Sequence, residues 1–173
     1  MKLFYKSSTT KKLKKNEILE ICKLKNTHWK YGYKSQINWF NKNIRANDIH
    51  NLAFINKKLV GYVSLRKRNF IIKKDKKKYL YFDTIIILKK YRKFKIGHNL
   101  LNQTTNIIKK SKQHSMLICN KKIISFYKKY DWKKILQKKA KILDHKYSKD
   151  STMMCFNQAA NISQNNIGYY IFS

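Results

Sequence analysis

The feature that most constrains the fold is a strand-like run that leads directly into a helix-like run in the middle of the chain. The segment YLYFDTIIIL, residues 79–88, is apolar almost throughout, as expected of a largely buried strand. After the basic turn KKYRKFK, residues 89–95, apolar residues recur at helical spacing over Gly97–Lys112. A strand that leads straight into a helix predicts an α/β domain in which the two pack together.

Similar patterns predict the elements before this unit. Lys14–Asn26, with Asn16 as its N-cap, and Ser35–Ile44 are typical of amphipathic helices. The segments NLAFI and KLVGYVSLRKR flank Asn56-Lys57, which predicts a β-hairpin. The lysine-rich KKDKKK, residues 73–78, is predicted to be a loop.

Further elements are predicted after the central helix. SMLIC, WKKILQKK and TMMCFNQ are typical of strands, and Lys121–Tyr130 of another helix. This order predicts a mixed α/β fold with a mainly antiparallel central sheet flanked by helices. We expect one domain over residues 1–158, followed by a tail of unknown role, residues 159–173.

The net charge of +33, from 41 Lys and Arg against eight Asp and Glu, favours anionic ligands. Only four of these cations are arginine, which is preferred for reading base edges and for bidentate phosphate contacts, and the lysines are spread along the chain. Lys, Asn, Ile, Tyr and Phe have A/T-rich codons, so a biased genome explains the charge without a selected partner. Nucleic-acid binding is therefore the less favoured interpretation, but it stays open.

Other classes of protein are disfavoured by the absence of their signals. No apolar run is long enough to span a membrane, and the N-terminal residues lack the apolar core of a signal peptide, so we expect a cytoplasmic protein without membrane association. Cys22, Cys119 and Cys155 lie far apart, and the histidines show no ligand pairing. We therefore expect no disulfide framework and no metal.

The turn after the central strand has the properties of a phosphate site. The first amides of a helix lack intrahelical partners, and the helix dipole favours negative charge at the same end. Gly97 lacks a Cβ where a ligand would approach the backbone, and Arg92, Lys93 and Lys95 surround it with positive charge. These properties predict a ligand that carries a pyrophosphate.

The same turn, YRKFKIG, resembles the acyl-CoA-binding signature of the Gcn5-related N-acetyltransferases (GNAT), Arg/Gln-x-x-Gly-x-Gly/Ala. Arg92 and Gly97 occupy its first and last positions, and Lys95 replaces the first glycine. The resemblance implies that the end of the strand contacts the pantetheine arm of acetyl-CoA and that the turn binds the pyrophosphate. The residues so implicated are Ile85, Ile87, Arg92, Lys93, Lys95, Ile96, Gly97 and His98.

A second segment, NKKIISFYKKYDW, resembles the family motif Asn-x-x-Ala-x-x-Phe-Tyr-x-x-x-Gly-Phe. Asn120, Phe126, Tyr127 and Trp132 fall at matching positions. Ile123 replaces the small residue and Asp131 the glycine, and Asp is one of the few other residues that tolerate a left-handed helix end. With both segments in the right order, the resemblance spans residues 16–158 and implies an acetyl-CoA-dependent N-acetyltransferase.

The resemblance also implies roles in catalysis. Tyr127 would protonate the sulfur of CoA, a backbone amide near Ile87 would polarise the thioester carbonyl, and Asn120 and Phe126 would contact CoA. Asp83, acting through a water, is the first candidate for the base that deprotonates the amine, although a strand carboxylate could equally pair with a lysine. His50 is the second candidate.

The acceptor is expected to be a primary amine of a small molecule, bound by the loop THWKYGYKS with His28, Trp29 and Tyr31, and by His50. This region resembles GNAT members that act on amino sugars, and a nucleotide-linked amino sugar, which is anionic, would suit the basic surface. The alternative is that Trp29 and Trp39 only anchor helices. A nucleic-acid-binding domain on a degraded GNAT fold and a protein N-acetyltransferase stay open as functions, as does a homodimer.

Overall fold

The structure, a computed structural model, describes residues 2–72, 74–135, 140–143, 148–156 and 168–171. Its strands are β1 (Leu3–Thr9), β2 (Ile49–Ile55), β3 (Lys58–Ile72), β4 (Asp75–Ile87), β5 (His114–Asn120), β6 (Trp132–Lys134), β7 (Ala140–Ile142), β8 (Ser151–Phe156) and β9 (Gly168–Ile171). Its α-helices are α1 (Lys15–Asn26), α2 (Tyr33–Asn43), α3 (Ile96–Ser111) and α4 (Ile124–Lys128). The mixed, mainly antiparallel sheet flanked by helices confirms the predicted fold class.

The chain divides into two compact units. The first comprises Met1–Arg66 and Thr84–Thr104, and its strands follow the order β1-β2-β3-β4. The predicted hairpin is confirmed, because Asn56 and Lys57 take positive φ angles of 47° and 65° between β2 and β3. The core of this unit joins α1 and α2 to the strands, with Ile21, Cys22, Leu24, Phe40, Leu52, Leu59, Tyr62 and Ile86 buried together.

Two features of the first unit correct the predictions. Strand β1 was not predicted, because its mixed sequence LFYKSST lies at the sheet edge and pairs only with β2 among the described strands. Asn16 is not the N-cap of α1. The helix begins after Lys14, whose backbone amide donates to Glu17 Oε2 at 2.9 Å, while the Glu17 amide donates to the Lys14 carbonyl at 3.0 Å.

The second unit comprises Lys67–Asp83 and Thr105–Ser173, with strand order β3-β4-β5-β8-β6. Strand β5 runs parallel to β4, from Tyr79↔His114 to Phe82↔Leu117, and antiparallel to β8. The core of this unit buries Phe70, Tyr79, Tyr81, Met116, Ile135, Ala140, Met153 and Tyr170.

The second unit also corrects several predictions. The predicted loop 73–78 is strand from Asp75 onward, because Lys74, at a φ of 76°, turns the chain within a long hairpin. The helix predicted over Lys121–Tyr130 is a 3-10 turn, Lys121–Ile123, followed by the short α4.

Part of the C-terminal region lies outside the described residues, namely positions 136–139 and 157–158 of the predicted strands and most of the predicted tail. Within that tail, residues 168–171 form β9, which pairs with β3 and β7. None of the described helices is long and apolar enough to cross a membrane.

Candidate active site

The turn between β4 and α3, in the first unit, is built around a left-handed lysine. After β4 a 3-10 helix spans Lys89–Phe94, and Lys95 then takes φ 56° and ψ 14°. Glycine adopts this conformation most easily, which explains why the related motif has glycine here. Lys95 thus takes a backbone conformation that glycine favours, so its side chain is where it departs from the motif.

The start of α3 offers backbone donors. The first intrahelical bond runs from the Asn99 amide to the Lys95 carbonyl at 3.1 Å, so the amides of Ile96 and Gly97 precede the helical bonding pattern. These are the groups that bind phosphate oxygens at helix starts. These backbone amides are compatible with the predicted anion site.

Two glycines near this turn have different packing roles. A Cβ on Gly97 would lie 3.5 Å from Ile87 Cγ1, an ordinary contact, so the position is not closed by protein atoms. A Cβ on Gly61, in β3, would lie 2.9 Å from both Ile87 Cδ1 and Leu100 Cδ1. Gly61 therefore lets α3 pack closely on the strands, whereas Gly97 leaves space at the helix start. The sequence analysis missed Gly61, whose only signal is a glycine within a strand pattern.

The basic side chains of the turn face solvent. Arg92, Lys93 and Lys95 are exposed, and so is the neighbouring His98. Arg92 Nε donates to the carbonyl of Ile87 at 3.3 Å, and His98 Nε2 lies 3.1 Å from Asn102 Nδ2. Positive charge is thus available beside the helix start, and Arg92 is tied to the end of β4.

The end of β4 shows the alternation of a strand with one face in the core. Thr84 and Ile86 are buried, while Ile85 and Ile87 are half-buried. The ladder between β4 and β5 ends with the pair Phe82↔Leu117. Ile85 and Ile87, which are predicted to contact pantetheine, therefore lie beyond the last residue pair that β4 forms with β5.

In the second unit, Tyr127 is held in an aromatic cluster. It is only 4% exposed, and its ring centroid lies 6.0 Å from that of Phe82 and 6.4 Å from that of Trp132, both edge-to-face. Burial, with a smaller contribution from the Cys119 thiol, holds the pKa of the Tyr127 hydroxyl well above its usual range. A tyrosine hydroxyl is protonated at neutral pH even without this shift, so Tyr127 has a proton to donate. Phe82 was missed as a site residue, although it directly precedes Asp83 in the apolar run.

The other residues of the second motif lie close to Tyr127 in the chain. Asn120 ends β5, and its Oδ1 accepts a hydrogen bond from the Lys122 amide at 2.9 Å. Phe126 is partly exposed and packs edge-on against Tyr127 at 5.3 Å between centroids. Asp131 has a φ of 64°, which confirms that it replaces the motif glycine in a left-handed conformation.

The two candidate bases have different surroundings. Asp83 is half-buried on β4, in the second unit. His50 is 0% exposed in the first unit, where its Nε2 lies 2.8 Å from Thr10 Oγ1 and its Nδ1 2.8 Å from Tyr62 Oη. Burial lowers the pKa of His50 to about 4. The structure thus places His50 inside the core, between the rings of Phe40 and Tyr62.

The predicted acceptor loop joins α1 to α2 in the first unit. Tyr31 is 74% exposed, His28 is exposed, and the His28 ring stands edge-on to the half-buried Trp29 at 4.7 Å. Sequence reasoning missed Lys25, which is buried with its Nζ 3.5 Å from the centroid of Trp39 and 5.8 Å from that of Trp29. The i, i+4 spacing of Lys25 and Trp29 is the signal that could have found it. The two tryptophans thus share the Lys25 ammonium group, and Trp29 also packs against the core.

The structure groups the predicted site residues in two sets. The first unit holds the end of β4, the phosphate-type turn, the acceptor loop and His50; the second holds Asp83, Asn120, Phe126 and Tyr127. Among the described residues, no group of three His, Cys, Asp or Glu side chains could hold a metal ion. Chemically, the first set can bind an anion with backbone amides, and the second can donate a proton from a buried hydroxyl.

Known structures share this fold. ElaA from Escherichia coli matches 89% of this chain and 99% of its own, with a TM-score of 0.65 and 12% identity. The PaiA N-acetyltransferase from Thermoplasma acidophilum, solved with coenzyme A, matches 91% of this chain and 99% of its own, with a TM-score of 0.57 and 17% identity. The ribosomal-protein-S18-alanine N-acetyltransferase from Escherichia coli matches 93% and 98%, with a TM-score of 0.63 and 10% identity.

Sequence comparisons are more specific than these shared folds. No curated protein sequence matches this chain. The family model described as "Acetyltransferase (GNAT) family" matches residues 16–132, which is more than half of the chain and includes both motif segments. The chain therefore belongs to the acetyltransferase (GNAT) family.

Proposed function

We propose that the protein transfers an acetyl group from acetyl-CoA to a primary amine of a small molecule. One observation carries the proposal beyond family membership. The turn after β4 has a left-handed residue at Lys95, the helix-start amides of Ile96 and Gly97, and space beside Gly97. This arrangement suits a pyrophosphate, which acetyl-CoA carries.

The residues of the first unit fit acetyl-CoA. The amides of α3 would hold the pyrophosphate, while Arg92, Lys93 and Lys95 would add charge from solvent-exposed positions. The backbone of Ile85 and Ile87 would bind the pantetheine arm, as the resemblance implies. Acetyl-CoA supplies the activated acyl group. Arg92 also donates to the Ile87 carbonyl, which supports a role in fixing the end of β4.

Tyr127 is proposed as the general acid. Once the amine attacks the thioester carbonyl and the C–S bond breaks, the leaving sulfur needs a proton. The Tyr127 hydroxyl is protonated at neutral pH, as that of an ordinary tyrosine is, and the aromatic neighbours of the ring hold it in place. Asn120, whose Oδ1 caps the following turn, would offer its Nδ2 to the pantetheine arm, next to Phe126.

Asp83 is proposed as the base that accepts the amine proton, through a water. His50 is less suited, because both ring nitrogens already have hydrogen-bonding partners and burial lowers its pKa to about 4. Its position between Phe40 and Tyr62 supports a structural role in the core of the first unit.

The acceptor is proposed to be an amino sugar or a nucleotide-linked amino sugar. The exposed Tyr31 and the His28–Trp29 pair offer flat surfaces with polar edges, which suit a sugar ring. The competing acceptor is a protein amine. The structural neighbour named for ribosomal protein S18 alanine acts on such an amine, but its 10% identity supports the fold alone.

The test is a screen of amine acceptors with acetyl-CoA, with release of free CoA as the readout. Amino sugars, their nucleotide-linked forms, polyamines and peptides with a free N-terminus form its arms. The proposal expects amine-dependent release of CoA, fastest with the amino sugars. If only peptides are acetylated, the small-molecule acceptor is wrong and the enzyme class stands.

The acid is tested in the same assay with Tyr127→Phe, which removes one oxygen. We expect turnover to fall by about 10²- to 10⁴-fold, because general acid catalysis contributes about that much. Acetyl-CoA affinity should remain near that of the wild type. Tyr130→Phe is the matched control, since it makes the same change three residues away on the same segment. Equal turnover in Tyr127→Phe and Tyr130→Phe would remove Tyr127 from the mechanism.

A further inference from the structure

A concave surface lies in the first unit, where the start of β1 pairs with the end of β2. This groove, of about 750 Å³, is bounded by the start of β1, the β2–β3 turn and the first residues of α1. Its lining includes none of the residues assigned above to acetyl-CoA or to the acceptor. The groove therefore needs its own explanation.

The floor of the groove is a pair of aromatic rings. Phe4 and Phe54 are direct partners in the β1–β2 register, with centroids 6.1 Å apart. Phe54 packs against the core, whereas Phe4 is 56% exposed. Because the two rings adjoin among lysines, they form a contiguous apolar patch with a polar rim, which marks interaction sites more often than a single exposed side chain does. The ring pair thus offers a flat apolar surface to a ligand.

Four lysines, Lys2, Lys6, Lys14 and Lys57, line the same groove. The acidic residue among its lining residues is Glu17, which pairs with Lys6 Nζ at 2.6 Å and also accepts from the Lys14 amide. Within the described part of the chain, no carboxylate lies within ion-pair distance of the Lys2, Lys14 or Lys57 ammonium groups. The groove is therefore strongly positive around an apolar floor.

We propose that this groove binds a single-stranded segment of nucleic acid. A base would stack on Phe4, and the neighbouring phosphates would contact Lys2, Lys14 and Lys57. The combination of an exposed aromatic ring with cations favours this ligand over two others. An acidic peptide would pair with the lysines but has no base to stack on Phe4. A nucleic-acid duplex has phosphates, but its bases are already stacked on one another. The proposal does not depend on the acetyltransferase assignment.

The placement of the lysines indicates a strand of several nucleotides. They come from three separate elements, namely the start of β1, the entry to α1 and the β2–β3 turn. A single phosphate would occupy one of these positions, whereas successive phosphates of a strand would reach several. No arginine lines the groove, so binding is expected to tolerate different base sequences.

The experiment measures the binding of fluorescein-labelled 12-nucleotide oligo-dT and oligo-U by fluorescence anisotropy over a series of salt concentrations. Phe4→Ala should weaken binding about 5- to 150-fold, because stacking contributes about 1–3 kcal/mol per base. Lys14→Gln and Lys57→Gln should each reduce the slope of log affinity against log salt by about 0.7. Phe94→Ala, which removes an exposed phenylalanine beside Lys93, and Lys110→Gln are the matched controls and should bind like the wild type.

Phe4→Leu keeps an apolar side chain without a flat ring, and circular dichroism of each variant checks its fold. The proposal is overturned if Phe4→Ala and Phe4→Leu, both folded, bind as the wild type does, or if the control variants lose as much affinity. It is also overturned if mononucleotide competes as strongly as the oligonucleotide, if polyglutamate binds equally with the same dependence on Phe4, or if no oligonucleotide binds at low salt.

Discussion

Gly61 and Gly97 both lie against Ile87, yet replacing each by alanine should change stability in opposite directions. In Gly61→Ala the new methyl group would lie 2.9 Å from Ile87 Cδ1 and Leu100 Cδ1, and 3.0 Å from Ile96 Cγ2. The two terminal methyl groups can shift, but Ile96 is β-branched and stiff in its helix, so the three contacts cannot all relax freely. In Gly97→Ala the nearest atom is 3.5 Å away, an ordinary contact.

These contacts give the expected magnitudes. Overpacking costs about 1–3 kcal/mol, and the reduced entropy of the unfolded alanine chain offsets about 0.4–1 kcal/mol of it, so Gly61→Ala should lose about 1–2 kcal/mol. Gly97→Ala, which is helical and unobstructed, should gain about 0.5–1 kcal/mol. The corresponding changes in Tm are a fall of about 2–8 °C and a rise of about 1–4 °C.

Urea denaturation of the ligand-free protein, followed by tryptophan fluorescence, measures both changes. The protein must be free of acetyl-CoA, because Gly97 lies at its proposed site. If Gly61→Ala is as stable as the wild type, or if Gly97→Ala is the less stable of the two, the packing of α3 on β3 described above is wrong.

Two further predictions concern stability. Burial lowers the pKa values of His50 and His114 from 6.5 to about 4. As the pH falls, these histidines are therefore protonated in the unfolded chain before they are protonated in the folded protein, which favours unfolding. Each histidine should lower the free energy of unfolding by up to about 3 kcal/mol between pH 6.5 and 4. Urea midpoints measured at pH 7.5 and at pH 5 check this prediction. If a His114→Phe variant loses as much stability as the wild type between these two pH values, the contribution assigned to His114 is wrong. Lys95→Gly should be neutral to about 1 kcal/mol more stable, since it relieves a left-handed lysine, whereas Lys95→Val should be clearly less stable. Equal urea midpoints for the two variants would contradict the backbone geometry of the turn.

The parts of the fold that were predicted correctly are those set by local sequence. The apolar run before Lys89 and the helical spacing after Gly97 give the β4–α3 unit directly, and the Asn56-Lys57 turn gives the hairpin. Strand β1 could not be found in this way, because it is defined by pairing with β2 more than forty residues later and its own pattern is mixed. Strand β9 likewise depends on pairing across about a hundred residues, Phe70↔Tyr170.

The candidate site shows the same division between local and distant determinants. Both motif segments carried their residues in sequence, so Tyr127 and Gly97 could be named before the structure. His50 could not be judged from its neighbours in sequence, because its partners are Thr10 and Tyr62, brought together by β2 and β3. The left-handed Lys95 was also hidden, since sequence alone suggests a lost glycine and not a retained conformation.

The most direct test of the central claim is calorimetric titration of acetyl-CoA into the wild type, Gly97→Val and Asn106→Val. Valine at position 97 fills the space beside the helix-start amides, while Asn106→Val makes a β-branched change on an exposed face of the same helix. The account predicts binding to the wild type and to Asn106→Val, and an affinity about 10- to 100-fold lower for Gly97→Val, equivalent to losing one or two charge-assisted hydrogen bonds. Equal affinity in all three proteins, or no binding to the wild type, would contradict it.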